Sequence, residues 1–230
     1  MASTEDREVL QEVWSGRIPT MFSLAEDDCK ETVPDPCYLM LPRMSYLPLA
    51  TEKVVTQQQH FRRRTKATLQ VRKHFSSFLS GDSGEMWFSY HGSPLRWHHP
   101  IGLLYDLLAA DGSQDGHLPW SLTVHFSQFP AEQLLPCHAR EQVWWQQWCW
   151  FNDSMLKVES VFMSSLKEAD QLKHNGKVVS MMQKKDHNQL WLGLTSDKFD
   201  QFWAINRLLL KSTHILFIWL IVSSRGNGEL

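Results

Sequence analysis

His98 and His99 are adjacent, a pair that invites a metal-ion reading. Neighbouring side chains point to opposite faces of a strand, or about 100° apart on a helix. Neither geometry chelates one ion easily, so the pair reads as a polar turn ahead of Pro100. His125 falls on the polar side of an alternating segment and is expected to be solvated. The four cysteines, Cys29, Cys37, Cys137 and Cys149, have no CxxC spacing, which excludes a zinc ribbon or a thioredoxin-type pair. Cys149 stands among tryptophans, with no base or cation close in sequence to lower its thiol pKa. No GxSxG, HExxH or P-loop spacing occurs, and a Ser-His-acid triad is recognised by geometry rather than by presence. An intrinsic hydrolase or metalloenzyme is therefore not expected, and no cofactor or metal site is encoded.

Two further stretches could carry function. Between Lys53 and Gly81 stand seven basic residues (Lys53, Arg62, Arg63, Arg64, Lys66, Arg72, Lys73) and no acid. This is a solvated loop or helix face, or else a contact for an anionic membrane or RNA through Arg62–Lys73. Aromatic interleaving is thin, with Phe61, Phe75 and Phe78, and no RNP-like pattern occurs, so no specific nucleic acid is expected. Val143 to Trp150 holds four of the eleven tryptophans, an apolar patch of the kind that marks a binding surface or an aggregation hazard.

The elements that must position these residues follow from periodicity. Ser3 can cap a first helix, with Glu5 and Asp6 in its first turn. Val9, Leu10, Val13 and Trp14 make its apolar stripe, and Gly16 ends it. Arg17 to Leu24 alternates through Ile18, Thr20, Phe22 and Leu24 and predicts a strand. Asp27, Asp28 and Pro34-Asp35-Pro36 predict a loop. Tyr38 to Leu41 predicts a short buried strand, and Met86 to His91 another, stopped by Gly92-Ser93-Pro94. Pro100 can open a helix that runs toward Gly112, with Ile101, Leu104, Tyr105 and Leu108 on one face. Trp120 to Ser127 alternates most cleanly, with Trp120, Leu122, Val124 and Phe126 on one side. These elements compose an α+β unit ending near Pro130.

From Ser154 the period lengthens. Met155, Val158, Phe162, Leu166, Ala169 and Leu172 step by three or four residues, which predicts a helix broken near Gly176. A polar stripe of Ser160, Ser164, Lys167, Gln171 and His174 runs beside them. Val178, Val179, Met181 and Met182 resume an apolar face, and Asp197 to Leu210 predicts a further helix. The apolar stretch after Leu210 is shorter than the 18 or so residues a transmembrane helix needs.

Composition sets the frame. A chain of 230 residues with 43% apolar and 21% charged residues is an ordinary globular protein. With 23 basic and 25 acidic residues, for a net charge of −2, it is not a polyelectrolyte binder. The acidic, amphipathic start lacks the basic and apolar regions of a signal peptide, which predicts a cytoplasmic, reducing location.

Six runs together resemble the animal autophagy protein 5 family: EVWSGRIPT (12–20), YLMLPRMSYL (38–47), WFSYHGSPLRWHHPIGLLYDLLA (87–109), LPWSLTVHF (118–126), FMSSLKEAD (162–170) and QKKDHNQLWLGLTSDKFDQFWAINR (183–207). The resemblance implies an α+β protein with a ubiquitin-like β-grasp domain followed by a helix-rich region. The expected parts are an N-terminal helix (1–16), a ubiquitin-like domain (17–130) with a basic insertion near 55–70, and a helix-rich region (131–207) with a Trp-rich insertion near 139–152. An apolar tail (208–230) outside the family pattern completes them. A second ubiquitin-like domain is expected to be absent, and the unmatched segments to be retained intron sequence or gene-model error.

The family's protein is implied to be a conjugation substrate rather than an enzyme with its own active site. One lysine, in a Met- or Leu-Lys-Glu-Ala-Asp run, accepts the ubiquitin-like modifier autophagy protein 12 through an isopeptide bond, delivered by E2-like enzymes. Here that run is Leu166 to Asp170, so the acceptor carries over to Lys167. The conjugate binds the coiled coil of autophagy protein 16 and acts like an E3 in lipidation of Atg8-type modifiers. The protein is implied to be cytoplasmic and recruited peripherally to the isolation membrane at the phagophore assembly site. Without a second ubiquitin-like domain, coiled-coil binding is expected to weaken. The competing readings are a membrane- or RNA-binding module built on Arg62–Lys73, and an inactive truncated variant.

Attack on a thioester needs the neutral amine. A free lysine has a pKa of about 10.4, so less than about 0.1% is neutral at pH 7. Glu168 and Asp170, read as neighbours in sequence, would favour the charged form further. Deprotonation is therefore expected to come from the conjugating enzyme.

Overall fold

The strand with the cleanest alternation, β5 (Trp120–His125), lies inside a five-stranded sheet, and its apolar side is the core. Trp120, Leu122 and Val124 are almost fully buried, and Phe126 continues the row. The structure, a computed structural model, describes residues 4–29, 33–52, 70–75, 85–109, 118–136 and 147–209. Two compact units stand out: one lies within Gly16–Lys157, and the other joins the N-terminal helix to the helices from Val158 onward.

In the first unit, β1 (Arg17–Leu24) pairs parallel with β5 and antiparallel with β2 (Cys37–Pro42). On the far side of β5, β3 (Trp87–Tyr90) pairs antiparallel and carries the two-residue β4 (Ser93–Pro94). The order is β2-β1-β5-β3-β4. A central parallel pair flanked by two antiparallel hairpins is the β-grasp arrangement that the resemblance implies. β1 buries Ile18, Thr20, Phe22 and Leu24, the set that alternation selects. Each large apolar side chain removed from water there contributes roughly 1.5–3 kcal/mol.

The structure corrects several details. β2 is buried on one face only: Cys37 and Leu41 point inward, while Tyr38 and Met40 are exposed. As in β1 and β5, burial alternates along the strand because only one face of the sheet is packed. Gly92-Ser93-Pro94 does not simply stop a strand. His91 and Gly92 both adopt left-handed backbone (φ 47° and 81°), the geometry of a two-residue hairpin turn whose twist matches its strands. The short helices α2 (Leu47–Glu52) and α3 (Gln70–Phe75) were not foreseen; Leu47, Val71 and Phe75 are fully buried. α4 (Ile101–Leu108) starts just after Pro100 as expected but ends at Leu108, which is exposed rather than on the buried face. Ile101 and Gly102 donate their N–H groups to the Ser45 and Arg43 carbonyls, and Arg43 pairs with Asp106. A Cβ on Gly102 would lie 3.0 Å from the Arg43 carbonyl oxygen, so glycine permits this close approach.

The second unit is helical. α1 (Thr4–Ser15) begins and ends as its sequence predicts, but its stripe is not buried as a whole. Trp14 is inside, tilted against Phe202 (centroids 4.8 Å) and edge-on to Phe199 (6.0 Å), while Val9 and Val13 are exposed. Arg7 and Asp200 form a surface ion pair at 2.6 Å. α5 (Gln147–His174) is longer than expected, starting before Ser154. It is followed by α6 (Lys184–Thr195) and α7 (Phe199–Leu209). Gln183 and Asp186 cap α6 reciprocally, a device that satisfies two otherwise orphan N–H groups. The α6–α7 corner depends on Gly193, where a Cβ would sit 2.5 Å from the Phe202 nitrogen. Val178 to Met182 do not continue an apolar helix face. They form a turn and a short 3-10 helix in which Val179 is buried and Met181 is exposed.

Candidate functional site

α5 presents one face inward and one outward. Val158, Phe162, Leu166 and Ala169 are buried, and Phe162 lies 5.7 Å, centroid to centroid, from Trp191 of α6. Leu172, expected on this face, is exposed, although His174 in the same turn reaches the Leu209 carbonyl. Ser160, Ser164, Lys167 and Gln171 are exposed, so the polar stripe read from the sequence is a real surface. Lys167 follows the buried Leu166 and therefore points about 100° away from it. Among the described residues it enters no ion pair or hydrogen bond, which leaves the amine accessible on a helix that is anchored from behind.

The two acids of the same run divide. Glu168 is exposed. Asp170 is 1% exposed and faces inward, where its Oδ2 accepts the Val179 N–H at 2.8 Å. Its charge is thus directed at a backbone donor rather than shared along the lysine's face, a separation that residue types alone could not give. The Asp170 carbonyl accepts the Gly176 N–H at 3.1 Å, and Asn175 and Gly176 turn the chain with left-handed backbone (φ 53° and 72°). His174 Nε2 lies 3.1 Å from the Leu209 carbonyl of α7.

The other candidates are used up structurally or fall elsewhere. His125 is not solvated: it stacks on Trp87 (3.9 Å, 11°) and shares a 2.8 Å hydrogen bond with Ser89 Oγ. Its burial lowers the imidazole pKa below the ordinary value, outweighing the nearby Asp28 and Asp27 charges, which raise it. The alternation placed His125 correctly on the outer face. It could not reveal that Trp87 is its cross-strand neighbour. His98 and His99 lie in a turn, ring centroids 4.3 Å apart. Among the described residues no group of three or more His, Cys, Asp and Glu is arranged to hold a metal ion. Burial raises the thiol pKa of Cys29, helped by Asp28 and Glu26, and burial alone raises that of Cys37, so neither is an activated nucleophile.

Arg62, Arg63, Arg64 and Lys66 lie outside the described residues, and only the backbone of α3 places Arg72 and Lys73. Residues 143–146 of the Trp-rich stretch and the tail from residue 210 also lie outside them, while 147–150 form the first turn of α5. No helix among the described residues is long and apolar enough to cross a membrane.

A β-grasp sheet accompanied by a helical unit that carries Lys167 exposed on a long helix defines a ubiquitin-like-fold protein with an appended helix bundle. Two family models match in that order. "Autophagy protein ATG5, UblA domain" covers residues 13–126, and "Autophagy protein ATG5, alpha-helical bundle region" covers residues 155–212. The chain belongs to the autophagy protein 5 family. It is 45% identical to autophagy protein 5 of Drosophila melanogaster over 90% of this chain and 64% of that protein. It is 34% identical to autophagy protein 5 of Oryza sativa subsp. indica over 88% of this chain and 44% of that protein. The chain thus spans less than two thirds of these relatives. The fold is also similar to the crystal structure of Kluyveromyces marxianus Atg5, with a TM-score of 0.64 at 16% identity, covering 88% of this chain and 69% of that one.

Proposed function

We propose that this chain is a conjugation acceptor in autophagosome assembly, with Lys167 taking the C-terminal glycine of the ubiquitin-like modifier autophagy protein 12. The observation that carries the reading is the exposure of Lys167 on a helix packed along its opposite face, within the Leu166-to-Asp170 run. A rigid support limits the entropy lost when the amine is brought to a thioester. The neutral amine attacks the thioester carbonyl, the tetrahedral adduct collapses, the enzyme's cysteine thiolate leaves, and an isopeptide bond remains. The lysine's proton passes to the conjugating enzyme, because Asp170 faces inward to Val179. In this reading the chain is a substrate without an active site of its own. The conjugate, with autophagy protein 16, acts like an E3 for lipidation of Atg8-type modifiers at the isolation membrane, to which it is recruited from the cytoplasm.

The test is reconstituted conjugation with the modifier, its E1- and E2-like enzymes and ATP. A shifted band that disappears in Lys167→Arg supports the proposal. An undiminished band in Lys167→Arg, or none in the wild type beside a working relative, refutes it.

A further inference from the structure

Asp170 is a carboxylate in the apolar side of a helix, 1% exposed. Burying a charged group is costly unless it is hydrogen-bonded, so its partner bears on what it does. Its Oδ2 accepts the Val179 N–H at 2.8 Å, and its Oδ1 is buried with no hydrogen-bond partner. The side chain therefore makes one bond, and that bond ties residue 179 back to the helix. The backbone carbonyl of Asp170 takes the Gly176 N–H, so a single residue holds the turn at two points.

That turn abuts the lysine's own face. A Cβ added to Gly176 would lie 2.6 Å from Gln171 Oε1, which places the Gln171 side chain directly against the turn. Gln171 is four residues after Lys167, its next neighbour along the exposed stripe. Helix ends fray because their last carbonyls lack intrahelical partners. Here the fraying end begins only one turn beyond Lys167, and the Asp170 bonds close it.

We infer that Asp170 is a positioning residue for Lys167: it clamps the Gly176–Val179 turn onto the end of α5, and so keeps the lysine's turn of helix wound and aimed. The inference rests on Lys167 being the acceptor. Asp170 touches no reacting atom. It acts through the helix, by fixing the direction from which the amine meets a thioester. The acceptor oxygen is what matters, not the charge, because Val179 N–H needs one oxygen lone pair and an amide carbonyl offers the same.

The experiment is saturation kinetics of modifier transfer to Lys167, varying this chain against preloaded E2-like enzyme and separating kcat from KM. Asp170→Ala is expected to lower kcat about tenfold, as a misaimed nucleophile does, with KM little changed. Asp170→Asn, which keeps the acceptor for Val179, is expected to recover most of that loss. Gly176→Ala strains a left-handed position and pushes on Gln171, and is expected to lower kcat without touching the carboxylate. Amide hydrogen exchange should quicken across residues 167–174 in the two slow variants and not in Asp170→Asn.

Wild-type kcat in Asp170→Ala overturns the inference, as does an Asp170→Asn variant as slow as the alanine. If Asp170→Ala does not fold, Gly176→Ala decides, and an undiminished kcat there overturns it. A wild-type chain that takes no modifier at Lys167 refutes the acceptor reading and the inference together. A conjugated wild type with a fast Asp170→Ala refutes the inference alone.

Discussion

Each unit of this protein buries an aspartate, and the two aspartates work at different ranges. In the sheet unit, Asp28 accepts the Phe126 N–H at 2.8 Å across 98 residues of sequence. In the helical unit, Asp170 accepts the Val179 N–H at the same distance across only nine. The sheet unit is thus closed by contacts between distant segments, as the parallel β1–β5 pair also requires. The helical unit also has distant contacts, such as Trp14 with Phe199 and Phe202, but the turn that follows α5 is closed locally. The difference separates scaffold from display. The sheet unit consumes its polar side chains internally, as with Asp28, Ser89 and His125. The helical unit turns Asp170 inward and leaves Lys167 outside.

Three measurements sharpen or break this contrast. The largest effect is expected in the sheet, where Trp120 is fully buried. Trp120→Ala should cost about 3–5 kcal/mol in chemical denaturation; a loss under about 1 kcal/mol would mean that the sheet core is not the closed structure described. Next comes the α6–α7 corner. Gly193→Ala forces a Cβ onto the Phe202 backbone, 2.5 Å from its nitrogen, and overpacking of that kind costs about 1–3 kcal/mol. An unchanged melting temperature would show that the corner yields freely and that the helical unit is looser than its contacts suggest.

The smallest effect is the pH response of His125. Its pKa is lowered in the fold, so the unfolded chain binds more protons between the folded pKa and the ordinary value of 6.5. Stability therefore rises with pH through that window, and is lost as pH falls below about 6.5. His125→Gln should flatten the slope there, on top of a pH-independent loss of about 1 kcal/mol from the missing Trp87 stacking. A slope that survives the substitution would assign the titration to another group.

Much of the fold was legible. Ile18, Thr20, Phe22 and Leu24 alternate and are buried, and so do Trp120, Leu122, Val124 and Phe126. A strand buried on one face writes its orientation into a period of two. The α5 stripe was legible for the same reason at a period near 3.6, from Val158 to Ala169. What failed was apolar sequence that no element among the described residues covers. Val9, Val13, Leu172, Tyr38 and Met40 look like core and are exposed, because a periodic pattern records an apolar face but not whether another element meets it. The two-residue strand β4 was invisible since it carries no period at all, and only the left-handed His91-Gly92 turn creates it.

The candidate site divides in the same way. Periodicity placed Lys167 on the outer stripe, and the likeness of residues 162–170 to the family suggested the role proposed for it. Periodicity alone would have left it one solvated lysine among several. Neither could separate Glu168 from Asp170, since both are acids beside a lysine.

By itself the sequence determined the strand and helix periods, the exposed face of α5 and the family to which the chain belongs, because these are written in residue order and local sterics. Only the tertiary structure decided that β1 lies beside β5, that Trp14 meets Phe199 and Phe202, that His125 is covered by Trp87, and that Asp170 faces Val179 instead of Lys167. Those outcomes depend on which surfaces meet, and a buried carboxylate turns toward whichever donor the fold leaves in need of an acceptor.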